Sequence, residues 1–239
     1  MKFAIKPLIA AAAMASMLGG AQAATFTSIG LAGSGTAYTL VAPIIPPLTG
    51  TAGAILSTLT LAPGYSLLYQ PAVSTTDTFT FCVELYQALS TPGTPITTYT
   101  VVDPAGTGYT GLGANGWGPA AATISGRIDQ LMTYALPFTN AANAAALQFA
   151  IWEVIYEATP LSVIAGTGFR LSGGPTPITM LADSFLLNFA SVPASRHYSV
   201  LTDRDFQDVL IQVPEPMSAS LVMLGLLGAA AARRRKATD

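Results

Sequence analysis

The C-terminal end most constrains what this chain can fold into, because an uncharged apolar stretch there lies between a proline-flanked acid and a basic cluster. The stretch covers residues 217–232, and as a helix it would be about 24 Å long at about 1.5 Å per residue. That is short for a hydrocarbon core of about 30 Å. We therefore expect a weak or temporary membrane anchor there, with the folded body before it.

Two short motifs flank the apolar stretch. Positive charge beyond a membrane segment favours the cytoplasmic side, so the body should lie outside the inner membrane. Prolines on both sides of an acid remove two backbone donors and disfavour helix, which predicts an extended, protease-accessible joint. The joint residues are Pro214, Glu215 and Pro216, and the basic residues are Arg233, Arg234, Arg235 and Lys236.

In this order, the three features of residues 214–239 resemble the PEP-CTERM sorting signal of Gram-negative bacteria. The resemblance implies processing by an exosortase-type membrane protease after a transient stay in the inner membrane. It also implies a destination at the cell surface or in the extracellular matrix, as in a biofilm, where an exopolysaccharide or other surface polysaccharide is a candidate partner. An ordinary single-span anchor with a proline-rich joint is the alternative interpretation.

The N-terminal end also predicts export. Lys2 and Lys6 precede an apolar run at 7–18, and Ala21-Gln22-Ala23 has small residues at the two positions that a signal peptidase reads. The run is too short for a membrane helix and ends in two glycines. We therefore predict a signal peptide at 1–23, an exported domain at 24–213 and the sorting signal at 214–239.

The composition of residues 24–213 excludes some functions. Four arginines and ten acids give a formal charge of 4 − 10 = −6, which argues against nucleic-acid binding. No lysine lies between Lys6 and Lys236, and Cys82 is the only cysteine. A length of 190 residues suits one domain with a full core.

Residue patterns predict an α+β fold, a β-rich sandwich or barrel-like layer with a helical subdomain at about 120–158. Helical spacing predicts a first helix at 120–136 and a second one that Thr139 or Asn140 caps and Pro160 ends. A short third helix would be capped by Thr179. Apolar and β-branched stretches predict strands at 37–41, 54–61, 78–85, 96–102, 161–164, 168–171, 198–201 and 206–213.

The stretch 78–85 is the clearest strand. Its alternation places Phe79, Phe81, Val83 and Leu85 on one face and Cys82 on the other, more polar face. This pattern does not place the thiol with the core residues of its own strand.

The second helix carries a glutamine that we expect to face the core. At about 100° per residue, Glu153 and Glu157 lie about 140° and 180° around the helix axis from Gln148. We interpret the two acids as the solvent side, which turns Gln148 inward. A buried carboxamide then needs partners for its donors and its acceptor.

A second resemblance joins the strand and this helix. Phe81-Cys82-Val83 and the later Gln148-Phe149-Ala150-Ile151-Trp152 resemble the thioester domains of bacterial surface adhesins, although the family usually has threonine where this chain has Leu147. The resemblance implies an internal thioester that a nucleophile-bearing surface partner opens to form a covalent link. It implies Cys82 and Gln148 as the cross-linked pair, and as the groups that shield it from water Phe149, Ile151 and Trp152.

Two other interpretations stay open. In the first, Cys82 is an inert core thiol and Gln148 a hydrogen-bonded helix residue, and the protein is a passive surface or matrix component. In the second, a cysteine-dependent hydrolase uses His197, the only histidine, as its base. The sequence has no Gly-x-Ser-x-Gly elbow, metal-ligand spacing or phosphate-binding loop. We therefore predict a protein that is not an enzyme and needs no metal or cofactor.

Overall fold

The computed structural model describes residues 22–31, 36–42, 45–61, 77–85, 87, 89, 92–102, 119–135, 140–159, 161–166, 169–173, 176–194 and 198–212. Both helices and antiparallel strands are present, so the predicted α+β class with a β-sheet layer is confirmed. The strands are β1 Gln22–Leu31, β2 Thr36–Ala42, β3 Ile45–Ala52, β4 Ile55–Leu61, β5 Asp77–Cys82, β6 Pro95–Val102, β7 Arg170–Leu171, β8 Tyr198–Thr202 and β9 Val209–Gln212. The helices are α1 Ala121–Ala135, α2 Ala141–Tyr156 and α3 Pro177–Asn188, and a 3-10 turn, Phe189–Ser191, follows α3.

The larger sheet curls until it closes on itself. Its strand order is β1-β4-β5-β9-β8-β6, and β1 pairs with both β4 and β6. A bulge shifts the register of the pairing between β1 and β6, because Ala24 lies opposite Tyr99 while Phe26 lies opposite Ile96. The extra residue in β6 lets Ile96 and Tyr99 both be buried, although three positions separate them. The Phe26 and Tyr99 rings then meet edge to face at 5.1 Å.

A smaller sheet in the order β3-β2-β7 lies beside the helices, and β2 is its central strand. The sequence patterns did not predict β3, which contains Pro46 and Pro47. An edge strand tolerates proline because one side of it needs no ladder donors. The strand β2 is paired along most of its length with β3, and near its end also with β7.

Helix α2 is the centre of the helical part, and it packs against α1, α3, β2 and β3. The side chain of Asn140 caps it by accepting a hydrogen bond from the Asn143 N–H at 2.9 Å. Every residue from 144 to 156 is buried. Helix α1 instead has the expected single apolar face, with Ile124, Ile128 and Leu131 fully buried.

Two local predictions were wrong, and one boundary changes. Residues 161–164 do not form a strand but lead into a turn at 163–165. The N-cap of α3 is Thr176, and Thr179 completes a capping box with it instead of capping the helix alone. Because α3 packs on α2, the helical part extends beyond 120–158.

Among the described residues, no helix is both long and apolar enough to cross a membrane. The predicted sorting residues, the basic cluster and the apolar stretch 217–232 all lie outside the described residues. So does most of the predicted signal peptide, whose last two residues, Gln22 and Ala23, pair in β1 with Val101 and Thr100 of β6.

Candidate functional site at Cys82 and Gln148

Cys82 is the last residue of β5, where it lies opposite Val209 of β9. The prediction of a polar face for Cys82 was wrong, because it is 9 % exposed and belongs to the hydrophobic core. Its neighbours Phe81 and Val83 are buried too, as is Thr80 on the Cys82 side of the strand. The strand lies between two packed layers, so alternation does not separate inside from outside here.

Gln148 of α2 is fully buried, as predicted, and its carboxamide contacts the main chain of Cys82. The Cys82 N–H donates to Gln148 Oε1 at 2.8 Å. Gln148 Nε2 donates to the Cys82 carbonyl at 2.9 Å. Two residues that are 66 positions apart in the sequence are therefore held together by a pair of buried hydrogen bonds.

This pair of bonds occupies a vacant position in the β-ladder. The β4–β5 register ends where Ile55 lies opposite Thr80, so β4 offers no partner to Cys82 two residues later. On the other side, the Val83 N–H donates to the Asp208 carbonyl at 3.0 Å. The Gln148 side chain thus replaces the missing strand, since its carboxamide presents one acceptor and one donor as a peptide group does.

Burial also sets the protonation of the site. It raises the pKa of the Cys82 thiol to about 12, because a thiolate is poorly solvated there. Burial likewise raises the pKa of Tyr38, and the nearby Cys82 raises it further. The pKa of Tyr99 is also raised, by burial first and then by nearby acids and Cys82. The thiol therefore stays protonated at neutral pH.

The predicted shielding residues are all buried. Phe149, Ile151 and Trp152 are 1 %, 0 % and 3 % exposed. The Phe149 and Trp152 rings lie 6.2 Å apart, and Tyr38 from β2 packs on both, with centroid distances of 5.7 and 5.3 Å. Sequence reasoning missed Tyr38, because nothing in its own stretch indicates which helix it will meet.

The interpretation of Glu153 and Glu157 as the solvent side of α2 was wrong. Their exposed fractions are 0 % and 6 %. Glu153 Oε1 accepts from the Ser162 N–H at 2.7 Å, and Glu157 Oε2 accepts from the Phe169 N–H at 3.4 Å. The two acids thus bind main-chain donors of the segment after α2, which folds back over the helix and covers them.

Burial raises the pKa of Glu153 to about 8, against a lowering contribution from the Ser162 N–H, and the neighbouring acids Glu157 and Asp183 raise it further. Asp183 of α3 binds the same segment, accepting from the Val163 N–H at 2.7 Å and the Ser162 hydroxyl at 2.9 Å. The three carboxyl groups therefore bind Ser162, Val163 and Phe169 of the segment that follows α2.

The remaining expectations from the sequence concern a histidine base for Cys82 and the lack of metal ligands. His197, the base that the hydrolase interpretation requires, lies outside the described residues. In the described part of the chain, no group of three or more histidine, cysteine, aspartate or glutamate side chains could hold a metal ion.

Comparisons with known proteins return nothing for this chain: no family model, no curated protein and no solved structure matches it. Function therefore has to be argued from the residues themselves.

Proposed function

We propose that this chain is an exported surface protein, delivered through a PEP-CTERM and exosortase route, that attaches covalently through a thioester between Cys82 and Gln148. The observation that carries the proposal is the contact between the Gln148 carboxamide and the Cys82 main chain. In that contact the carboxamide, which would be the electrophile of the reaction, lies against the residue that bears the thiol, and both residues are buried.

The chemistry of thioester formation balances with these two side chains alone. The Cys82 sulfur adds to the Gln148 carbonyl carbon, the bond from that carbon to Nε2 breaks, and ammonia leaves with the thiol proton. The Cys82 N–H lies 2.8 Å from Oε1, where it is placed to stabilise negative charge as it develops on that oxygen. Because the thiol pKa is about 12, the proton has to transfer during the addition and not before it.

Shielding decides whether such an acyl group survives. The residues proposed to shield it, Phe149, Ile151 and Trp152, are all almost fully buried. Exclusion of water suppresses hydrolysis of a reactive acyl group. The absence of lysine between Lys6 and Lys236 also means that no ε-amine of the exported domain competes with a foreign nucleophile.

The opening reaction would complete the attachment. An amine or a hydroxyl of a surface partner attacks the Gln148 acyl carbon, the bond to sulfur breaks, and Cys82 regains its proton as a thiol. The product is an amide or an ester that joins the partner to Gln148. Delivery to the surface, which the sorting motif at 214–216 supports, is where such a partner would be met.

A passive surface or matrix protein is the second candidate, and one observation favours it. The carboxamide completes the hydrogen-bond ladder of Cys82 beyond the end of the β4 pairing. That alone is a sufficient structural role for a buried glutamine. In this candidate, Cys82 is an unreactive core residue.

The mass of the intact protein separates the two candidates. The protein is purified after export and measured beside Cys82→Ala and Gln148→Ala. The thioester requires a deficit of one ammonia in the wild type and none in either variant. Methylamine should then add to Gln148 and release one titratable thiol. A wild type of full mass with a free Cys82 thiol in the denatured protein would rule out the thioester and leave the passive candidate.

A further inference from the structure

Tyr38 differs from the other rings around the Cys82–Gln148 pair in one respect. The rings of Phe149, Trp152 and Phe169 are buried, with exposed fractions of 1 %, 3 % and 1 %. Tyr38 is only partly buried. Within the described part of this aromatic cluster, it is therefore the ring that is most open to solvent.

The contacts of Tyr38 place it over the helix face that carries Gln148. Its ring meets Phe149 edge to face at 5.7 Å and Trp152 at 5.3 Å. On α2 these two residues lie about 100° and 40° around the axis from Gln148, on the same side. A ring that packs on both of them therefore lies beside the sector of the helix from which Gln148 projects.

The backbone under Tyr38 is held within the smaller sheet, and the residue that faces Tyr38 has no side chain. The residue belongs to the central strand β2, and the Ser172 N–H donates to the carbonyl of the next residue, Thr39, at 2.8 Å. Directly opposite Tyr38 on β3 is Gly50. Facing positions on paired strands project side chains to the same side, and glycine has none to obstruct the ring.

The Tyr38 phenol interacts electrostatically with the Cys82 thiol. Burial raises the pKa of Tyr38, and Cys82 raises it further. Tyr99 also interacts with Cys82, but its hydroxyl donates to the Gln207 carbonyl at 2.7 Å and it is fully buried. Of these two phenols, Tyr38 is thus the one with an exposed edge.

We propose that Tyr38 is the gate of the Cys82–Gln148 site. Its ring closes the solvent side of the pair, and a nucleophile reaches the Gln148 carbonyl carbon only when the side chain rotates over Gly50. This inference rests on the proposed thioester for its biological meaning. Its physical content, control of access to Cys82 and Gln148, holds for a free thiol as well.

The test measures access in two ways. With the wild-type chain, methylamine-induced release of the Cys82 thiol is timed. In a Gln148→Ala background, where no thioester can form, alkylation of the free thiol by iodoacetamide is timed instead. Each measurement compares Tyr38→Ala and Tyr38→Phe, and a matched control is Tyr134→Ala, which removes an exposed ring from α1.

For a gate, Tyr38→Ala should raise both rates by about tenfold or more, which corresponds to about 1.4 kcal/mol in the barrier. Tyr38→Phe keeps the ring and should stay within about twofold of its parent, and so should Tyr134→Ala. Equal rates for Tyr38→Ala and its parent in both measurements would overturn the gate. If Tyr38→Ala does not fold, Tyr38→Leu gives the same comparison with most of the core volume kept.

The same measurements distinguish a failure of the Tyr38 gate from a failure of the proposed thioester. Full mass in the wild type rules out the thioester, while the alkylation rates in the Gln148→Ala background still decide the gate. An ammonia deficit with unchanged rates in Tyr38→Ala supports the thioester and overturns the gate.

Discussion

Glu153 accepts a hydrogen bond from the Ser162 N–H through one carboxyl oxygen, while its other oxygen is buried and has no partner within the described part of the chain. A carboxylate in that position is poorly solvated, and Glu157 and Asp183 add negative charge nearby. Protonation relieves both effects, which is why the pKa of Glu153 is raised to about 8.

Stability should therefore fall as pH rises across the window between the ordinary pKa, 4.5, and about 8. In that window the unfolded chain has lost the Glu153 proton and the folded protein has kept it, so folding binds a proton. The largest slope is about 1.4 kcal/mol per pH unit. Urea denaturation of the wild type and Glu153→Gln at several pH values measures it.

Glu153→Gln should remove this part of the pH dependence, and its advantage over the wild type should grow toward pH 8. The control is Asp205→Asn, at an exposed acid, which should follow the wild-type profile. If Glu153→Gln and wild type keep parallel profiles across the window, Glu153 is ionised in the folded state and the prediction is wrong.

A methyl group at Gly166 should destabilise the fold. A Cβ there would lie 2.1 Å from the Phe169 carbonyl oxygen and 2.9 Å from the Ser162 carbonyl oxygen. Both are main-chain atoms, so relief needs a shift of the segment that binds Glu153. We expect Gly166→Ala to lower the free energy of unfolding by about 1–3 kcal/mol, measured by urea denaturation.

Gly126 of α1 offers the matched control. A Cβ at Gly126 meets nothing within 4 Å, and alanine is favoured over glycine in a helix by about 1 kcal/mol. The same substitution should therefore stabilise the protein at Gly126 and destabilise it at Gly166. A neutral or stabilising Gly166→Ala would contradict the close approach of Gly166 to the Ser162 and Phe169 carbonyl groups.

Removal of the Gln148 carboxamide should lower the free energy of unfolding even in a chain that has no Cys82 thiol. Cys82→Ala keeps the main-chain N–H and carbonyl at position 82, so we compare this variant with Cys82→Ala/Gln148→Leu. Each buried group that loses its partner costs about 1–3 kcal/mol. Gln130→Leu, which breaks one part-buried bond to the Val192 carbonyl, is the control and should cost less in a urea titration.

Processing of the sorting signal should depend on Glu215. In a host that carries an exosortase-type protease, Glu215→Ala should leave most of the protein unprocessed and membrane-associated, as measured by fractionation and intact mass. Asp239→Ala replaces another acid of the same tail and should be processed like the wild type. Equal processing of both variants would favour the plain single-span anchor.

How well the sequence predicts a helix or strand of this fold depends on how many of its sides are covered by other elements. Helix α1 has one apolar face, so its spacing gave the bounds to within one residue. Helix α2 is covered on all sides, and periodicity states only that Gln148 and Glu153 lie far apart around the axis. It cannot state that Ser162 and Phe169 return to bind the acids, because that return is a tertiary event.

The candidate site was half predictable for the same reason. An inward carboxamide follows from the position of Gln148 in an apolar stretch, and Cys82 is the only thiol available. Their contact depends on the β4–β5 pairing stopping at Thr80, two residues before Cys82, and Tyr38 lies on β2, 110 residues before Gln148. No local pattern in either stretch encodes these approaches.

The pairing of β5 with β9 also has a mechanical consequence. Cys82 lies opposite Val209, the first residue of β9, and β9 ends at Gln212, two positions before Pro214. A pull on the chain beyond Gln212 is transmitted into β9 along its length and shared by hydrogen bonds with β5 and β8. A partner held at Gln148 would pull on the opposite side of β5. The shortest path between an anchored tail and a partner bound at Gln148 would thus run through β9 and β5.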